Sequence, residues 1–158
     1  MSTIVEWHME TDVAVTGFGG AGASAAIEAH DTGAEVIIFE LASAAGGSTA
    51  LSGADIYLGG GTPVQQACGY EDSKEDMFNY MMASNGAQAD EAKIRNYVEH
   101  SLEHYQWLVG CGVPFKMSEH KERAVMPLND DCLLYSGNEK AYPFNQLAKP
   151  VPEAITRK

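Results

Sequence analysis

The stretch "VAVTGFGGAG", Val13 to Gly22, limits the chain's folding choices more than any other. A short apolar run enters a turn with glycines at 17, 19, 20 and 22 and no charge. The run, "DVAVTG", is valine-rich and reads as a short buried strand. "GGAGASAAIEAHDTG" then reads as a helix of small residues, and Gly33 suits its C-terminal cap. "AEVIIFE" reads as a second buried strand. Strand, helix and strand within about 30 residues predict a βαβ unit over residues 12–40, with parallel strands and a right-handed crossover.

Gly17, Gly19 and Gly22 fit the spacing G-x-G-x-x-G in the strand-to-helix context that gives the pattern meaning. Gly17 permits the tight turn, Gly19 lets a pyrophosphate reach the backbone, and Gly22 brings the helix close to the sheet. Gly20 and Ala21 complete the small-residue turn, and Ala26 keeps the same helix face slim. The helix N-terminus offers unpaired amides and a partial positive charge to phosphates. Glu40 ends the second strand, close to the roughly 20 residues past the turn at which a ribose-binding acid is expected. Its carboxylate suits ribose hydroxyls and repels a 2′-phosphate, which disfavours NADP; the neighbouring Leu41 is grouped with this contact. A P-loop is excluded, because Gly-Lys-Ser/Thr is missing and Lys74 is the first lysine or arginine of the chain. Any phosphate held by the front half is therefore held by amides and hydroxyls. These features do not separate NAD from FAD.

The net charge of −12 argues against nucleic acid or an anionic membrane as partner. An apolar content of 45% in 158 residues is enough for the core of one domain. No apolar run approaches the roughly 20 residues of a membrane span, and the start lacks a basic, then apolar, leader. Cys68, Cys111 and Cys132 are widely spaced and read as reduced thiols of a cytoplasmic protein.

Residues 1–11 read as a lead-in arm. Residues 41–69 are rich in small side chains, with strand character in "ADIYL". "DSKEDMFNYMMASN" and "DEAKIRNYVEHSLEHYQWLVG" carry helical spacing, each opening with Asp as N-cap. Ile94, Tyr97, Val98, Leu102, Tyr105 and Leu108 mark one apolar face of the second. Residues 113–158 are mixed, their prolines including those at 127, 143, 150 and 152.

The segment "GGSTALSGADIYLGGGTPVQQACGYEDS", with "DDCLLYSGNEKAYPF", resembles flavoproteins of the fumarate reductase and succinate dehydrogenase superfamily. Within it the resemblance narrows to 3-ketosteroid Δ4-(5α)-dehydrogenase-like proteins, from about Asp12 to Pro152. It implies an α/β fold: a partial Rossmann-like FAD-binding domain with a parallel βαβ core and added helices. The resemblance divides the chain into the βαβ unit 12–40, a flavin loop 41–69, a helical segment 72–110 and a mixed segment 113–158. Gly46, Gly47, Ser48 and Thr49 match the family's second glycine turn, which begins a short helix under the flavin, and Ser52 and Gly53 match the next contact. Ala54 and Asp55 depart from the family, which usually carries a glycine and then an apolar residue there. Ser48 stands where succinate dehydrogenases carry the histidine that attaches flavin, so the resemblance implies non-covalent FAD. It further implies an oxidoreductase acting on CH–CH groups, with hydride passing between a small-molecule substrate, such as a ketosteroid, and flavin N5. Family members continue into a substrate domain, so the chain is expected to be an N-terminal portion lacking that domain and the groups that carry substrate chemistry. Two other readings stay open: a fumarate- or succinate-type flavoprotein, and a truncated remnant that binds a nucleotide without chemistry.

Other candidates favour structural roles. His100 and His104 lack the H-E-x-x-H order and a third ligand, so a solvated helix face is expected. Cys111 reads as a buried structural thiol. Met77, Met81 and Met82 beside Phe78 and Tyr80 suit helix packing better than a sterol pocket. Tyr57 and Tyr135 are conceivable acids, but a phenol ordinarily titrates near 10, and neither is assigned a catalytic role.

Overall fold

A computed structural model describes residues 7–122, 129–135 and 137–154. The first six residues of the expected lead-in arm, and Pro127, lie outside the described residues. The chain forms two compact units, Met1–Ser52 and Gly53–Lys158.

The first unit is the expected βαβ. Strand β1 (Val13–Thr16) and strand β2 (Val36–Phe39) pair in parallel, Val13 opposite Val36 and Thr16 opposite Phe39. Helix α1 (Gly20–Asp31) connects them. Ala26 is the buried residue of α1, where a small side chain lets the helix approach the strands. Gly33, with φ of +90°, follows the helix and donates its N–H to the His30 carbonyl at 2.8 Å, as a C-terminal glycine should. The strands are less buried than their composition suggests: Val13 and Val15 are half-buried, and Ala14 and Thr16 are exposed. Within this unit α1 packs on β1 and β2, leaving alternate strand residues open. A 3₁₀ turn, Gly47–Leu51, follows.

In the second unit, α2 (Pro63–Ala67) starts at a capping box in which Thr62 and Gln65 satisfy each other's backbone amides, with Pro63 in the first turn. Helix α3 (Lys74–Asn85) is capped by Ser73 rather than Asp72, because Ser73 accepts from the Asp76 amide while Asp72 is drawn to the Gly60 amide. The second predicted helix keeps Asp90 as cap but divides into α4 (Glu91–Glu99) and α5 (Ser101–Gly110). The break lets one continuous apolar stripe serve two cores. Ile94 and Val98 pack with Met77 and Phe78, whereas Tyr105 and Leu108 pack with Leu58, Val64, Cys132 and Leu133. It also buries Ser101, whose hydroxyl donates to the Gly59 carbonyl at 2.9 Å and accepts from its amide.

No strand forms over 54–57. Ala54 turns the chain with φ of +60°, and Leu58 enters the core fully buried. Burying a leucine contributes about 1.5–3 kcal/mol, which outweighs the pairing of a short strand. Strand β3 (Leu133–Leu134), helix α6 (Phe144–Leu147) and strand β4 (Glu153–Ala154) complete the unit, with β3 and β4 antiparallel.

Candidate functional site

The Gly17 amide donates to the Phe39 carbonyl at 2.7 Å, continuing the ladder one residue past the strands before the chain swings away at φ +90°. A Cβ on Gly22 would fall 2.0 Å from the Gly17 carbonyl oxygen, so glycine there is demanded by helix-to-turn packing. Gly19 differs. Its backbone is ordinary (φ −85°, ψ −170°), and an added Cβ would meet nothing nearer than the Gly46 carbonyl at 4.0 Å. Neither conformation nor packing within the unit demands glycine at 19. Its bare face opens on a cleft of about 320 Å³ lined by Phe18, Gly20, Gly46, Thr49 and Ala50 among others.

The first α1 hydrogen bond runs from the Ala23 amide to the Gly19 carbonyl. The amides of Gly20, Ala21 and Gly22 precede it, at the positive end of the helix. Of these, Gly20 donates to Thr49 Oγ1 at 3.0 Å. The second glycine turn lies on the first: the Gly46 amide donates to the Phe18 carbonyl at 2.7 Å, and a Cβ on Gly47 would stand 3.4 Å from Gly19 Cα. Ser52 closes the 3₁₀ turn by donating its hydroxyl to the Thr49 carbonyl at 2.8 Å.

Glu40 reaches back to the same place. Its Oε2 accepts from the Phe18 amide at 2.6 Å, and its Oε1 accepts from the Ala42 amide at 2.8 Å. The Ala42 amide, then that of Phe18, lower its pKa below the usual carboxylate value, so Glu40 is ionised at neutral pH. Each carboxylate oxygen retains capacity for a further donor.

Within the first unit the structure thus places Gly19, Gly20 and Thr49 on one cleft, with Gly17, Gly22 and Gly47 in the two turns that frame it and Glu40 bonded to the Phe18 amide beside it. Ala21 and Ser48 lie in the same two turns with exposed side chains, and the Leu41 side chain is fully exposed. Gly53 belongs to the second unit. Phe18 escaped the sequence reading. It acts through its backbone, giving its amide to Glu40 and its carbonyl to Gly46, and no residue type at a variable motif position signals that.

The remaining candidates resolve structurally. His104 is half-buried between the rings of Tyr97 and Trp107, so only His100 is exposed as expected. Cys111 is exposed, against expectation, because α5 ends there with its apolar face turned elsewhere; Cys132 is the buried thiol. Met77 is core, while Met81 lines an open groove of about 280 Å³ with Tyr57, Tyr80 and Tyr97. Tyr57 is pushed well above the usual phenol range, by burial first and then by Glu153, and is no acid at neutral pH. Tyr135 donates weakly to the Pro150 carbonyl at 3.4 Å. Among the described residues no group of His, Cys, Asp and Glu could hold a metal ion.

A parallel βαβ pair, a bare helix N-terminus and an acid at the end of the second strand define a dinucleotide-binding domain. Residues 12–131 match the FAD binding domain family. The chain belongs to that family, and FAD is its cofactor. It is 38% identical over 151 residues to 3-oxo-5-alpha-steroid 4-dehydrogenase of Comamonas testosteroni, covering 94% of this chain and 28% of the relative. It is similar at 38% over 109 residues to the acrylate reductase flavoprotein subunit of Shewanella woodyi, covering 68% of this chain and 21% of the relative. The crystal structure of 3-ketosteroid-delta4-(5alpha)-dehydrogenase from Rhodococcus jostii RHA1, in complex with 4-androstene-3,17-dione, superposes with a TM-score of 0.90 at 52% identity. That match covers 99% of this chain and 33% of the solved one, so the chain spans about a third or less of these relatives' lengths.

Proposed function

We propose that this chain is the cofactor-cradling part of an FAD-dependent oxidoreductase of the 3-ketosteroid dehydrogenase kind. The observation that carries the reading is the unexplained glycine at 19, whose bare face lies where a diphosphate would approach the α1 N-terminus. In this reading Gly19, Ala21 and Gly22 present amides to the pyrophosphate, while the Gly20 amide holds Thr49 Oγ1 so that the Thr49 hydroxyl is turned to it from the second turn. Glu40, fixed by two amides, accepts from the ribose hydroxyls. Leu41 supports the adenosine side through its backbone. Gly47, Ser48, Ser52 and Gly53 serve the approach to the isoalloxazine, and with serine at 48 the flavin is held without a covalent bond.

Bound flavin supplies a hydride acceptor at N5. The chain's own residues bind and orient it with neutral donors, in a segment without lysine or arginine up to Lys74. The substrate class is a 3-ketosteroid, by analogy with the steroid enzymes this chain resembles. Free thiols at Cys68, Cys111 and Cys132 support a cytoplasmic setting, and no helix among the described residues is long and apolar enough to cross a membrane.

The test has two stages. The purified chain, given FAD and desalted, should retain one flavin per chain by its visible spectrum; a colourless protein sinks the cradle. A polypeptide of the relatives' length is then assayed with a saturated 3-ketosteroid and an artificial electron acceptor. Similarity to the acrylate reductase subunit favours a second reading, reduction of a short unsaturated carboxylate. Turnover of that substrate, and none of the steroid, would select it.

A further inference from the structure

Phe18 belongs neither to the surface nor to a core. It is half-buried, and both apolar clusters found among the described residues lie in the second unit. It lines two clefts of the first unit at once, and Ala23 is the only other residue common to both. One, of about 320 Å³, is the cleft of the glycine turns, where every other lining residue is glycine, alanine or threonine. The other, of about 370 Å³, runs between α1 and β2 and is lined by Ala26, Ile27, His30, Val36 and Ile38 among others. Packing alone gives no reason for so large a side chain between two openings, because a ring facing empty space forfeits its dispersion contacts there. The main chain that carries the ring is fixed, its amide by Glu40 Oε2 at 2.6 Å and its carbonyl by the Gly46 amide at 2.7 Å.

We propose that the Phe18 ring is the aromatic wall of the FAD site on its adenosine side, a specificity-determining contact that the glycine motif does not assign. This rests on the reading above, in which Glu40 accepts from the ribose. Glu40 is bonded to the amide of Phe18 itself, so a sugar held by that carboxylate lies beside this residue. An aromatic face offers nothing to a diphosphate, whereas the flat face of adenine and the apolar side of the sugar gain from it. Because the main chain is already tied, the ring is carried to the ligand with little order left to impose, and less of the contact is lost to entropy.

The experiment is a calorimetric titration of FAD and of ADP into the chain, Phe18→Ala, Phe18→Leu and Phe18→Tyr. Phe18→Ala should bind both ligands roughly tenfold more weakly, by the same factor, because the contact is to the half they share. Phe18→Tyr keeps the flat ring and should bind both like the parent. Phe18→Leu keeps apolar bulk without the ring and should stay weak, an order that mere filling of space would not produce. Equal affinity in Phe18→Ala and the parent overturns the proposal, and so does a loss for FAD that spares ADP. Should Phe18→Ala fail to fold, Phe18→Leu decides: weaker binding of ADP supports the aromatic wall, and binding like the parent's overturns it. A parent that binds neither FAD nor ADP overturns the cofactor reading itself, and this contact with it.

Discussion

A single methyl group separates the duties of two neighbouring glycines. At Gly22 it would collide with the Gly17 carbonyl at 2.0 Å, so Gly22→Ala must push α1 off the turn. Overpacking of this kind costs about 1–3 kcal/mol, and thermal unfolding should show it with or without flavin. At Gly19 the methyl meets nothing within the unit, so Gly19→Ala should unfold like the parent yet bind FAD roughly ten- to a hundredfold more weakly. Equal flavin affinity in the two proteins would remove the reason given for a bare residue 19. Glu40 adds a pH test. Its folded pKa lies below 4.5 because the Ala42 and Phe18 amides bond the ionised form. Its contribution is therefore present above 4.5 and is lost as pH falls through the lower, folded value. Flavin release on acid titration should come below the ordinary carboxylate range. In Glu40→Ala the Phe18 amide loses its partner, and affinity at neutral pH should drop roughly tenfold or more.

The elements were legible in proportion to how local their causes are. β1, α1 and β2 follow from a valine-rich run, a glycine turn and a second apolar run, all close in sequence. The caps at Asp90 and Gly33 are equally local. The strand expected in "ADIYL" failed because Leu58 answers to a core built with Tyr105 and Leu133, far along the chain. Splitting 90–110 into two helices had the same kind of cause, two cores sharing one stripe. Ala54 bears on the first. The structure holds this alanine at φ +60°. The left-handed region costs a non-glycine residue about 1–2 kcal/mol, and glycine adds roughly 0.4–1 kcal/mol of unfolded-state entropy. Ala54→Gly should thus stabilise the second unit by about 0.5–1 kcal/mol, measured by urea unfolding; destabilisation would show that the alanine methyl is held by packing that outweighs its backbone strain.

At the scale of the whole chain, the cofactor's two ends are predicted to matter unequally to the first unit. Its cleft offers the α1 N-terminus and the Thr49 hydroxyl, and the Glu40 carboxylate is bonded to Phe18 at its edge, groups that suit a diphosphate and a ribose. None of those groups is suited to grip an isoalloxazine ring. A ligand that binds only the folded state stabilises it by about 2.7 kcal/mol at a hundred times its dissociation constant. ADP, which shares the adenosine diphosphate half of FAD, should therefore raise the unfolding temperature of this chain and displace bound FAD. Riboflavin, carrying the other half, should shift it far less at equal concentration. The glycine turn and the acid that reaches back to it were readable in advance, since glycine spacing and a following acid are sequence features with fixed geometry. The Gln65–Pro152 contact, which joins residues 87 positions apart, was not readable, because no local pattern records such a meeting. If riboflavin stabilises the chain and ADP does not, the cleft between the two glycine turns is not the diphosphate site, whatever the family supplies elsewhere.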